Sequence, residues 1–291
     1  LELTKDKPDA GKGIVLFGLL AALKTDKGIS ENFRRIMYVN IIMLTQIFLS
    51  RKTGPQKNNR THKKKMVNQM IRSLTDILIK PNAFFAGVMG EKESFRLPVL
   101  ILLAGGILAA AYGYLIGELS GRMMAGALPG LDMIITLSSA AGALIGVFIF
   151  WLAWTAIVFL ISMAFKGKGD FKRSLQVIGY GYLPQVFGTL LTLIAALEYL
   201  PKVVVPQMSA SMMQDPAAVQ QVTKALMNDP AMLQLTQISS VIGVVFLLWS
   251  ANIWIFGIQH AREISTRDAA ICVGIPVIIY IAYIVSTLGV M

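Results

Sequence analysis

The chain has 291 residues, 55% of them hydrophobic and only 15% charged, where a soluble domain carries about 25% charged residues. That balance excludes an ordinary water-soluble globule. The net charge of +11 is no argument for nucleic acid, because residues 1–65 hold 14 of the 27 Lys and Arg against 5 acids and the rest is nearly neutral.

Within residues 1–65 the apolar runs Ile14–Leu23 and Ile36–Leu49 are short for a membrane crossing. Arg51–Lys65 has seven cations and no acid, a composition that reads as disordered. Two readings stand for this basic extension. It is an arm drawn to anionic lipid headgroups, or it is foreign to the domain, which then begins near Met66. The second is preferred, because Met66 opens a self-consistent segment, 66–96, containing the amphipathic stretch Met70–Ile79. That stretch predicts a cytoplasmic interfacial helix followed by a linker.

A helix needs roughly 20 mainly apolar residues to cross the hydrocarbon. Five stretches qualify: Leu97–Gly117, Ile134–Phe165, Gln176–Leu200, Ile238–His260 and Ala269–Val290. The expected fold is therefore all-α, a polytopic bundle of five transmembrane helices over 97–291. Cations crowd the N-terminal side and the loop Lys166–Arg173, whereas the Glu118–Asp132 loop and the C-terminal end carry few. Cytoplasmic loops are enriched in Lys and Arg. The N-terminus is thus expected in the cytoplasm and the C-terminus outside.

Helices in lipid associate by close packing over small residues. Gly105, Ala109, Gly113 and Gly117 recur every four residues in the first span, and Ser138, Gly142 and Gly146 do so in the second. Both stripes are expected to pack, within the bundle or between two copies. In the third span Pro184 removes a backbone donor amid Gly179, Tyr180, Gly181, Tyr182 and Gln185. The simpler reading is a kink with the tyrosines as interfacial anchors. The other is a polar pocket at a broken helix. Asn252, beside Ser250 in the fourth span, is expected to face the bundle and bond across helices.

The extracytoplasmic loop 201–237 holds Asp215-Pro216 and Asp229-Pro230. Asp as N-cap with Pro at the first helical position starts a helix, so Pro216–Met227 is predicted as a short amphipathic helix capping the bundle or lying on headgroups. No Asp, Glu, Lys or Arg falls deep within a span, which weighs against a proton-driven carrier. Cys272 stands alone, and His62 and His260 lie far apart. No metal site, cofactor motif or catalytic motif is discernible, so an enzyme is not expected.

From Met66 the order of parts resembles the Yip1 family of five-span membrane proteins. The carriers of the likeness are Pro81-Asn-Ala-Phe84-Phe85 before the first span, the loop Gly167-Lys-Gly-Asp-Phe171, Gly179-Tyr-Gly-Tyr-Leu-Pro184 inside the third span and Trp249–Ile258 in the fourth. The long hydrophilic domain of eukaryotic members is missing from this pattern, so the likeness is to prokaryotic members of the plasma membrane. The resemblance implies a non-enzymatic protein that organises or shapes membrane or recruits membrane partners, itself included. It puts weight on Tyr180, Tyr182 and Pro184 at the break and on Phe84 and Phe85 at the interface. The alternative function is a small-solute or lipid facilitator using the Pro184 break with Gln185 and Asn252 as a polar path.

Overall fold

The computed structural model describes residues 72–289. The basic extension, His62 and the first residues of the amphipathic stretch lie outside them. The described residues are helical, without strands. A helix over residues 72–79 (α1) is followed by α2 (Pro81–Met89), α3 (Arg96–Met124), α4 (Asp132–Ala164), α5 (Phe171–Gly181) and α6 (Leu183–Tyr199). After a loop come α7 (Pro216–Met227), α8 (Pro230–Arg262) and α9 (Thr266–Gly289). Among the described residues five segments are long and apolar enough to cross a membrane: α3, α4, the continuous stretch Phe171–Lys202 that contains α5 and α6, α8, and α9.

The helices outrun the apolar stretches that announce them. The fourth span starts at Pro230 rather than near residue 238, because the Asp229 carboxylate accepts from the backbone N–H of Ala231 at 2.9 Å and of Met232 at 3.2 Å. This N-cap stabilises the first turn by about 1 kcal/mol. At 33 residues and 1.5 Å per residue, α8 spans about 50 Å, well beyond the roughly 30 Å of hydrocarbon. Asp215 caps α7 in the same way, accepting from Ala217 N–H at 2.9 Å. Ser265 caps α9, its Oγ accepting from Asp268 N–H at 3.1 Å.

Two apolar cores result. The larger joins α2 to α9 around Phe85, Trp151, Trp154, Val177, Ile178, Trp254 and Cys272. Ile77 of α1 and Phe85 of α2 are completely buried in it, so the amphipathic segment is docked into the bundle as well as skirting it. The smaller core lies at the opposite end, where Leu226 of α7 and Val203 meet Leu119, Ala196, Leu200 and Leu235. The loop before α7 is tied down there, with Met208 N–H donating to Met123 carbonyl at 2.9 Å. Met212 and Met213 remain exposed.

The glycine stripe of α3 divides between two neighbours. A Cβ on Gly113 would come within 2.8 Å of Ala143 Cβ and of Ser139 carbonyl, and one on Gly117 within 2.8 Å of Ser139 and Thr136. Gly105 instead accommodates Tyr182 of the third span, whose ring would lie 3.1 Å from an added Cβ. Ala109 is partly buried against the larger core. Of the two packings expected of the stripe on α4, the one within the bundle needs correction: nothing lies within 4 Å of a Cβ added at Gly142 or Gly146, and Ser138 is exposed, donating to its own helix at Ile135 carbonyl, 3.0 Å. Adjacent residues on a helix stand about 100° apart, so a shift of one position turns Ser139 and Ala143 onto α3 and leaves Ser138, Gly142 and Gly146 outside the seam.

Replacing Gly113 with Leu would force α3 and α4 apart, at a cost of about 1–3 kcal/mol. Thermal unfolding in detergent should show a clear drop in Tm for this variant and none for Gly142→Leu. Equal effects would show that the seam is misassigned.

Candidate functional site

The third span is two helices. Tyr182 lies between them, and its N–H bonds to Gly179 carbonyl at 3.3 Å, three residues back rather than four. Pro184 does not clash inside a continuous helix, as a mid-helix proline would. It occupies the first turn of α6, where a missing N–H costs nothing. The break therefore sits at Tyr182, and Pro184 starts the new helix.

The segment before the break is enclosed on all sides. Ser174 and every residue from Gln176 to Gly181 are buried. The Ile178 carbonyl, which loses the Tyr182 N–H at the break, acquires an indole donor from Trp254 Nε1 at 2.9 Å, and one turn earlier Trp151 Nε1 donates to Leu175 carbonyl at 2.9 Å. In hydrocarbon such carbonyls have no water to turn to. Close approach requires the two glycines of the motif. A Cβ on Gly179 would come within 2.8 Å of Pro98, and one on Gly181 would run into the Trp254 indole.

The structure brings Phe84, Phe85 and Tyr180 together, although about 95 residues separate them in sequence. Phe84 meets Phe85 edge-on at 5.2 Å and Tyr180 edge-on at 5.3 Å, and Phe85 lies 6.2 Å from Tyr180. Phe85 also faces Gly257 of α8, where its ring would be 3.2 Å from an added Cβ. Below this aromatic cluster is a polar one that sequence reasoning missed. Arg173 donates through Nη1 to Gln176 Oε1 and through Nη2 to Glu91 carbonyl, both at 2.9 Å, with Glu93 at 3.8 Å. Gln176 is 1% exposed and donates to Ser94 carbonyl at 3.0 Å and to the Tyr180 hydroxyl at 3.4 Å. The i, i+4 spacing of Gln176 and Tyr180 is the signal that was available.

A third tie, equally unforeseen, closes the same end. Arg262 is 3% exposed. It donates to Ser162 Oγ at 2.9 Å and to Gly167 carbonyl at 2.6 Å, and its guanidinium lies 4.2 Å from the centre of the Phe159 ring. Lys168 N–H donates to Arg262 carbonyl at 2.9 Å. A Cβ on Gly169 would collide with Ala261 carbonyl, which explains the Gly-Lys-Gly spelling of this loop.

Asn252 is not part of the site. It is exposed on α8, whereas Ser250 and Ala251 are buried. Two residues along a helix differ by about 200°, so Ser250 faces the bundle and Asn252 faces away. The expectation that Asn252 bonds across helices inside the bundle is thereby corrected. Gln185 is half-buried beside Pro184, and its Nε2 is buried without a partner. Among the described residues no three His, Cys, Asp or Glu side chains converge as a metal site requires.

These features define a polytopic helical membrane protein whose third span is broken at a glycine- and tyrosine-containing turn and clamped by tryptophans from two neighbours. The Yip1 domain profile matches residues 75–287, and the chain belongs to that family. It is 30% identical over 124 residues to an uncharacterised protein of the archaeon Methanocaldococcus jannaschii, covering 43% of this chain and 88% of the relative. No solved structure matches it significantly.

Trp254→Phe removes the donor to Ile178 carbonyl while keeping an aromatic ring. The stranded carbonyl should cost about 1–3 kcal/mol, read as a lowered Tm in detergent or lipid nanodiscs. Gly169→Ala should also lower Tm by pushing the Arg262 loop away, whereas Gly142→Ala should not.

Proposed function

We propose that this protein is a non-enzymatic organiser of the bilayer that acts by lateral assembly with membrane partners, a second copy of itself first among them. The observation that carries this reading is Asn252, a primary amide exposed near the middle of α8. Its flanks on that helix include the exposed apolar residues Val245, Leu248 and Trp249. An unpaired amide in hydrocarbon is unfavourable, and a second amide across an interface satisfies donor and acceptor together. The break, by contrast, is filled with aromatic rings. A conduit through it gains no polar lining from Asn252, which points the other way.

The basic end of the bundle supports a cytoplasmic N-terminus in a prokaryotic plasma membrane. Lys80, Lys92, Arg96, Lys166, Lys168, Lys172 and Arg267 are exposed. The bonds from Arg173 to Glu91 carbonyl and from Lys168 to Arg262 carbonyl hold their three segments at one end. Anionic headgroups attract such cations by about 1 kcal/mol each near the surface.

Two measurements test the reading. Energy transfer between labelled copies in liposomes should rise with protein density and fall several-fold in an Asn252→Leu variant. A wild type that stays monomeric, or solute-specific flux that Asn252→Leu abolishes, would overturn the proposal in favour of a facilitator. A cytoplasm-active reporter fused at Met291 should stay silent; a strong signal would reverse the orientation.

A further inference from the structure

The third and fourth spans cross in an antiparallel sense, and three close approaches fix their register. A Cβ on Gly257 of α8 would meet Val177 at 3.0 Å, one on Gly181 would run into Trp254, and one on Gly188 of α6 would meet Phe246 at 3.1 Å. The contact stripe on the third span is thus Val177, Gly181, Pro184-Gln185 and Gly188. The facing stripe on α8 is Gly257, Trp254, Ser250 and Phe246. Ser250 stands one turn before Trp254 and Gln185 about one turn after Gly181, so both occupy the same level of the crossing.

Ser250 is completely buried and its Oγ has no hydrogen-bond partner; Gln185 Nε2 is buried and also unpartnered. They face the same crossing yet do not reach each other. A donor and a hydroxyl, both without a partner, are gathered where the span is broken, in a region that leaves unsatisfied polar groups costly.

We infer that the α6–α8 crossing is a binding site for one internal water. The water accepts from Gln185 Nε2 and bonds with Ser250 Oγ. Two to four partners is the usual complement of a buried water, and the Gln185 amide and the Ser250 hydroxyl supply two. The water ties α6 to α8 just beyond the Trp254 clamp, so the broken span is held on both sides of Tyr182. This role is independent of whether copies of the protein associate through Asn252.

The sign of a mutational effect decides the matter. A hydroxyl satisfied by water stabilises the fold, whereas a stranded one destabilises it. Ser250→Ala should therefore lower the folded-to-unfolded ratio in detergent by about five-fold. Gln185→Leu should lower it too, and the double variant should lose less than the two singles combined, because they share one guest. A Ser250→Ala protein as stable as wild type or more stable, or strict additivity, would overturn the proposal. Nuclear Overhauser transfer from water to the Gln185 side-chain amide, in nanodiscs of deuterated lipid, gives a readout that needs no unfolding. A cross-peak in wild type that weakens in Ser250→Ala is expected. Its failure to appear in wild type would also overturn the site, even if Gln185→Leu failed to fold.

Discussion

A polypeptide in hydrocarbon must satisfy its own backbone, and every unusual feature of this bundle follows from breaking a span under that rule. The turn at Tyr182 frees the Ile178 carbonyl that an unbroken helix would use, and it is met by the Trp254 indole N–H from α8, while the Trp151 indole of α4 adds a second bond to the Leu175 carbonyl one turn earlier. Indoles are bulky, and they come this near only because Gly179 and Gly181 present no side chain to Pro98, Trp151 and Trp254. The glycines, the tryptophans and the proline are thus one device. Pro184 begins the second half of the span, where its missing donor is harmless, and the tryptophans secure the end of the first half.

The number and kind of elements were legible because hydropathy reports directly on solvent. A water-soluble chain of this length has no core large enough to hide five long apolar runs beside so few charges. The Asp-Pro pairs were equally readable, since capping is local and Asp215 and Asp229 act on residues two or three positions away. The helix lengths were not, because α3 and α8 continue past the hydrocarbon into polar sequence that a hydropathy window discards. Which side of each helix faces inward was legible only where geometry left one choice. On α3, Gly113 and Gly117 pointed to the seam. On α4, Ser138-Gly142-Gly146 and the adjacent Ser139-Ala143 pattern are both rich in small residues, and only contact with α3 separates them. Asn252 and Ser250 pose the same problem. In water a polar residue marks the outer face, but in lipid both faces are apolar and one amide gives no direction.

The candidate site was half visible for a related reason. Phe84, Phe85 and Tyr180 belong to separate motifs, and nothing in their spacing says that they touch. Burial brings them together: Phe85 fills the space left by Gly257 and lies against the face of α5 that carries Tyr180. Arg173, Gln176 and Arg262 were overlooked because they read as loop charges or as the edge of a span. They are the polar counterpart of the tryptophan clamp, and a mostly buried guanidinium such as Arg262 is tolerable because its donors reach Ser162 and Gly167 while its face rests on Phe159.

Those polar ties also bear on the proposed mode of action. At one end Arg173 binds the linker before α3, and Arg262 binds the loop before α5. At the other, Met208 and Leu226 hold the long loop against α3 and α8. A carrier that alternates access must open one end while closing the other, and here both ends are fastened by buried contacts to elements that also form the core. Within the described spans the ionisable pair is Lys202 with Glu198, exposed at the very end of the third one. Fastened ends, a clamped break and a polar amide turned outward are the features on which the proposed action on lateral neighbours rests.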